Sequence, residues 1–184
     1  MSSPPAELAQ LTAIHTLGPT GTNCEAAARH YAASRGLSVE IVLHRTLEEG
    51  MARVLDDPRS ALLGCVVYPD LHGLVFPYLD RMVLADQFLF DTFPMLLAAR
   101  EPGVRPTRVA SHPAPRALVP AGVEVVLATS NAAATRSCAA GEVDGCITTR
   151  PAAEANGLAI LVDHGPVPMG FTIHAHRALA RRAA

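Results

Sequence analysis

The 184-residue chain contains no lysine; all fifteen of its basic residues are arginine. Without lysine it cannot form a Schiff base with a carbonyl substrate or anchor pyridoxal phosphate, so that branch of covalent catalysis is excluded. No apolar run approaches the length of a membrane span, which argues against a membrane partner. The opening "MSSPPAELAQ" has neither a basic n-region nor an apolar core, so residues 1–11 read as a flexible lead-in and not as a signal peptide. The four cysteines (Cys24, Cys65, Cys138, Cys146) are far apart and form no C-x-x-C pair, as in a reduced cytoplasmic protein. Of the eight histidines, His174 and His176 alternate along one apolar segment, but no further ligands are spaced like a zinc site; no metal and no cofactor are expected. Net charge is −2, and arginines concentrate only in the tail "HRALARRAA", which reads as a solvated helix end; nucleic-acid binding is not expected.

What is present is a globular composition. Hydrophobic residues make up 49% and mean hydropathy is +0.23. The length suits one domain with a full core or two small lobes. Short apolar segments predict strands at Ala13–Leu17, Val39–His44, Ala61–Tyr68, Gln87–Arg100 (two, if broken at Thr92–Pro94), Thr107–Ser111, Val123–Ala128, Gly145–Thr148, Ala159–Val162 and Gly170–His176. Helices are predicted at Asn23–Arg35, Leu47–Leu55, Leu71–Arg81, Pro113–Leu118, Asn131–Ala140 and Ala152–Asn156, with Thr46 and Ser130 as starts and Gly141 as a stop. Such alternation predicts parallel sheets covered by helices. The long apolar "ADQFLFDTFPMLLAARE" interrupts it and suits a crossover between lobes. The first lobe is placed at 12–86 plus 164–184 and the second at 87–163; no internal sequence repeat is visible.

Two helix starts invite an anion. In "LGPTGTNCEAA" a predicted strand runs into a glycine- and threonine-lined turn (Thr20, Gly21, Thr22, Asn23) that opens a helix, where free backbone N–H groups and the helix dipole attract negative charge. Ser130, Asn131 and Ala132 form a second such start. Plain helix capping explains either one equally well.

Three stretches resemble prephenate dehydratases, in order and with matching spacing. "LGPTGTNCEAAARHY" resembles their LGPxGT opening, "RVASHPAPRAL" their SHPQAL turn, and "ATSNAAATRSCAAGEVDGCITTRPAAEANGLAILVDHG" their S(T/N)AEAA segment. The resemblance covers about residues 12–177. It implies an α/β, two-lobed, periplasmic-binding-protein-like fold with an inter-lobe cleft, a prephenate-like dicarboxylate as small-molecule substrate, and a homodimer. The two helix starts would then each receive a substrate carboxylate. Ser111 of the SHP turn would join them, as would Met169, Gly170 and Phe171, which stand where the family carries Thr-Arg-Phe.

The departures matter as much. Met169 and Gly170 replace the threonine and arginine, and in that family the threonine hydroxyl is linked to protonating the departing 4-hydroxyl; a thioether has no proton to give. The family's Pro-Ile-Glu-Asn-Ser segment is replaced by Tyr68-Pro69-Asp70-Leu71-His72-Gly73, which keeps titratable groups of a different kind. No C-terminal regulatory ACT domain is expected. This combination resembles the non-aromatising prephenate decarboxylases of bacilysin-type antibiotic pathways. Tyr68, Asp70 and His72 become the candidate catalytic acids, with histidine favoured because its pKa lies nearest neutrality. Two alternatives stand beside this reading: a dehydratase using a substitute acid, and a non-catalytic small-molecule-binding protein on the same scaffold.

Overall fold

A computed structural model describes residues 8–180. It divides into two compact units, one comprising residues 8–92 and 168–180, the other Phe93–Val167. The expected boundary at residue 86 lies inside a strand. Met82–Asp91 (β4) pairs without a break against Pro168–His176 (β10), with Gln87 opposite Thr172, so Gln87–Asp91 belong to the first unit. The lead-in is also shorter than expected. Leu8 and Leu11 are 2% and 4% exposed and join the first unit's core; the remainder, residues 1–7, lies outside the described residues. Of the arginine-bearing tail, Arg181 and Arg182 lie outside them too.

In the first unit Ala13–Leu17 (β1), Glu40–His44 (β2) and Ser60–Cys65 (β3) pair in parallel in the order β2-β1-β3, followed by β10 and β4. β10 is antiparallel to both of its neighbours, β3 and β4, so the sheet is mixed and not the parallel one expected. Asn23–Arg35 (α1) covers one face over Ile14, Ala61, Leu63, Phe171 and Ile173. Leu47–Asp56 (α2) and Leu71–Val75 (α3) cover the other over Leu62 and Met82. The helix expected over Leu71–Arg81 stops early: Pro77 lacks an N–H to continue it, a 3-10 turn fills Phe76–Tyr78, and β4 begins at Met82.

The second unit repeats this topology without repeating its sequence. Met95–Ala99 (β5), Arg108–Ser111 (β6), Glu124–Leu127 (β7), Gly145–Thr149 (β8) and Ala159–Asp163 (β9) form a sheet ordered β7-β6-β8-β5-β9. Again three parallel strands are followed by two antiparallel ones. Asn131–Ala139 (α4) and Arg150–Ala155 (α5) pack over Leu96, Ala110 and Cys146; a 3-10 turn at Ala114–Leu118 stands where a helix was expected. The last element among the described residues is Arg177–Ala180 (α6).

Two buried histidines, His15 and His174, and the half-buried His44 lie on the α2-covered face of the first sheet. His15 Nδ1 and His44 Nε2 are 2.8 Å apart, so one nitrogen donates and the other accepts, and a second proton there would set two donors against each other. His174 is 6% exposed. Its Nε2–H donates to Thr172 Oγ1 at 3.1 Å, because that hydroxyl itself donates to Gly64 O; Nδ1 is buried without a partner. Burial holds all three pKa values below the ordinary 6.5, and His44 adds to the effect on His15. The native state therefore resists protons that the unfolded chain accepts, and stability present above about pH 6.5 is lost as pH falls through the lowered values, each unit of depression being worth about 1.4 kcal/mol. Thermal midpoints should fall between pH 7 and 5, less steeply in His174→Gln. A parent midpoint that is flat over that range would refute this.

Candidate active site

In each unit the chain reverses its direction of progression across the sheet beside the first parallel strand. The loops at the carboxyl ends of the first and third parallel strands flank that point, where open α/β sheets bind ligands. In the first unit these loops are Gly18–Thr22 and Val66–Asp70; in the second they begin at Ser111 and Thr149. The sequence-predicted residues fall on or beside these loops, at the starts of α1, α3 and α4, at the end of β6 and on β10.

In the Thr20–Asn23 turn, two of the groups expected to receive an external carboxylate are committed within the chain. Its backbone supports one already: Gly21 N–H, at φ +83° where a side chain would be strained, donates to Glu25 Oε2 at 2.7 Å. Glu25 is 7% exposed and paired with Arg29 at 2.7 Å. Burial alone would raise its pKa, but the Gly21 N–H and the Arg29 guanidinium outweigh that and hold it below the usual carboxylate value. Thr22 is equally committed: its hydroxyl donates to Leu17 O at 3.3 Å and accepts from Glu25 N–H. The signal for this was in the sequence, since Thr22-x-x-Glu25 has the spacing of a capping box. The N-terminus of α2 is closed in the same way, with Glu49 accepting from Arg45 N–H.

The start of α4 differs. Ser130 caps it, accepting from Ala133 N–H at 3.0 Å, yet its first turn carries no acidic residue to answer the helix dipole. Asn131 Oδ1 is buried without a hydrogen-bond partner, and its backbone carbonyl accepts from Thr135 at 2.8 Å. Thr135 and Thr148 hydroxyls, 2.5 Å apart and buried, lie below. Ala132 is half-buried in the same first turn. Ser111 is wholly buried and spends its hydroxyl on His112 O at 2.9 Å, so its expected role as a substrate contact is replaced by a turn-shaping one.

The titratable groups of the Tyr68–His72 segment differ in their surroundings. Tyr68 is half-buried and donates to both Glu48 oxygens at 3.0 and 3.2 Å; burial and that carboxylate raise its pKa. Asp70 stands at the N-terminal end of α3 without capping it, its carboxylate pressed over the Gly73 Cα. His72 is exposed, its ring 5.7 Å from that of Phe76. On β10, Met169 Sδ accepts from the Cys65 thiol at 3.0 Å. A Cβ on Gly170 would lie 3.2 Å from both methyl groups of Val66. Phe171 is 0% exposed and stacks on Phe88 at 5.7 Å; it is a core residue, not the substrate contact expected. Glu25 and Glu48 are the partners the sequence reading missed.

No protein-family model matches the chain. It is 28% identical to a prephenate decarboxylase of Bacillus subtilis strain 168, over 90% of this chain and 87% of that protein. A prephenate dehydratase from Arthrobacter aurescens, solved with L-Phe, superposes with a TM-score of 0.65 at 19% identity, covering 90% of this chain; the chain spans 60% of that dehydratase. A periplasmic substrate-binding protein of an ABC transporter from Coxiella burnetii superposes with a TM-score of 0.57 at 16% identity, over 94% of this chain and 88% of that one. The α/β, two-lobed fold is thus that of the prephenate dehydratases and periplasmic-binding-like domains, and the resemblance to the dehydratase superfamily and its decarboxylases is borne out. Among the described residues no helix is long and apolar enough to cross a membrane.

Proposed function

We propose that the chain decarboxylates prephenate without aromatising it, yielding a dihydro-4-hydroxyphenylpyruvate for a specialised amino acid or antibiotic pathway. The observation that carries this is the pair Met169-Gly170. Where the dehydratase resemblance expects a hydroxyl and a guanidinium, this chain has a thioether engaged by the Cys65 thiol and a glycine whose side-chain space is filled by Val66. No acid is offered there to the 4-hydroxyl, so the hydroxyl stays. The ring carboxylate leaves as carbon dioxide, its electron pair enters the diene, and a proton is added to a ring carbon. Withholding acid from oxygen while supplying it to carbon is selective transition-state binding. The similarity to prephenate decarboxylases supports the reading.

In this scheme the α4 start binds a substrate carboxylate through its backbone N–H groups and the Ser130 hydroxyl, and His72, Asp70 or Tyr68 supplies the proton. Neither step calls on a cofactor. Ser130→Ala should weaken prephenate binding by about 1–3 kcal/mol with the fold intact, read by calorimetric titration; unchanged affinity would remove this helix start from the site. The reaction is tested by incubating the protein with prephenate and recording the ultraviolet spectrum and product mass. A non-aromatic product that retains the hydroxyl supports the proposal. Phenylpyruvate would make the protein a dehydratase with a substitute acid, and tight binding without turnover would make it a binding protein.

A further inference from the structure

Of the three candidate acids in the Tyr68–His72 segment, Tyr68 is the one whose proton has a partner in the structure. Its place is fixed by turns: its N–H donates to Cys65 O at 2.9 Å and its carbonyl accepts from Leu71 N–H at 3.3 Å, while its ring packs onto the α2-side core. Its hydroxyl lies 3.0 and 3.2 Å from the two carboxylate oxygens of Glu48, in the first turn of α2. Glu48 is exposed. Its own backbone N–H chiefly, with the Tyr68 and Thr46 hydroxyls, outweighs burial and holds its carboxyl below the usual carboxylate value. An ionised carboxylate only accepts hydrogen bonds, so the proton between these two side chains sits on Tyr68 and points at Glu48. Burial and then the Glu48 carboxylate push the phenol's pKa up, against the Leu47 N–H that faces it, so the proton stays there.

A phenol in that state meets a ligand as an acceptor: its hydrogen is spent on Glu48, and a lone pair of its oxygen is what it has left to offer. Prephenate at neutral pH carries two carboxylates, a keto group and one hydroxyl. The 4-hydroxyl is therefore its single hydrogen-bond donor, and the group that an acceptor backed by a carboxylate selects. Tyr68 lies on the loop at the carboxyl end of β3, which flanks the point where open α/β sheets bind ligands. We propose that Glu48 is a positioning residue that makes the Tyr68 hydroxyl an acceptor for the substrate's 4-hydroxyl, so that this group is bound and not protonated. The proposal rests on the decarboxylase reading and deepens it. Met169 and Gly170 leave no acid at the place where the dehydratase resemblance expects one; Glu48 keeps a nearby phenol from becoming its substitute. The proton for the ring carbon is left to His72 or Asp70.

Removing Glu48 frees the phenol to turn its O–H toward the substrate. The ring carboxylate then leaves as carbon dioxide, its electron pair completes the aromatic ring, the carbon–oxygen bond at C4 breaks, and the hydroxyl departs with the Tyr68 proton as water. Phenylpyruvate is formed, and solvent returns a proton to the tyrosinate. The sequence hid this pairing because Glu48 and Tyr68 are 20 positions apart, on different elements.

The full-length parent, Glu48→Ala, Glu48→Gln, Tyr68→Phe and the Glu48→Ala/Tyr68→Phe double variant are incubated with prephenate at neutral pH. Products are separated and identified by mass, with a protein-free sample as background. Circular dichroism checks each fold, and if Glu48→Ala fails to fold, Glu48→Gln, which keeps the side chain's length, carries the test. Glu48→Ala should raise the phenylpyruvate share of the product at least about 10-fold over the parent, and the double variant should return it to the parental level. Tyr68→Phe should raise KM about 2–10-fold, the loss of one ordinary hydrogen bond, without added phenylpyruvate. Where the parent yields the dihydro product, a parental product ratio or loss of all turnover in both Glu48 variants overturns the proposal alone, as does phenylpyruvate that persists in the double variant or an unchanged KM in Tyr68→Phe. A parent that yields phenylpyruvate, or no product, overturns the decarboxylase reading and the proposal with it.

Discussion

His72→Ala is expected to lower prephenate turnover by roughly 10²–10⁴-fold with binding little changed, the loss usual when a general acid is removed. The structure separates the three candidates in the Tyr68–His72 segment. Tyr68 has its hydroxyl committed to Glu48, and burial and that carboxylate raise its pKa, which makes it a reluctant donor at neutral pH. Asp70 is exposed at the N-terminal end of α3, with its carboxylate over Gly73. His72 is exposed, its ring 5.7 Å from that of Phe76. Tyr68→Phe should therefore have the smaller effect of the two. Steady-state kinetics on both single variants and the double variant decide the matter: full activity in all three would move the proton donor elsewhere in the protein.

Phe171→Ala is expected to destabilise the protein by about 3–5 kcal/mol, the range for deleting a fully buried phenylalanine. Its ring is stacked on Phe88 and set edge-on to Phe90 at 6.2 Å, in the same core as Ile14, Tyr31 and Ile173. Urea denaturation of the parent and the variant measures the difference, and a loss below about 1 kcal/mol would show that the ring is not a core element. The effect bears on function. Phe171 remains where its two predecessors in the Thr-Arg-Phe resemblance have changed, because the core requires it whatever chemistry is done nearby.

Local features were legible in the sequence. The strand spanning Ala13–Leu17 and the helix spanning Asn23–Arg35 fall where expected, and Thr46 and Ser130 cap their helices, because a strand's side-chain period and a cap's hydroxyl act over a few neighbouring residues. The break near Thr92–Pro94 was legible for the same reason. The antiparallel placing of β5 and β10 was not, since the direction in which a strand enters a sheet is set by partners distant in sequence. Nor was the shared topology of the two units, which recurs without shared residues.

The same division runs through the candidate site. The sequence by itself determined which residues could carry the chemistry: a chain without lysine, a methionine and a glycine where a threonine and an arginine were expected, and a run holding Tyr68, Asp70 and His72. Only the tertiary structure decided which were available. Glu25 occupies the first turn, Glu48 holds Tyr68, Phe171 is sealed in the core, and Cys65 meets Met169 across two strands. A residue's type is a local property, but its hydrogen-bond partner and its access to solvent depend on which remote segment packs against it.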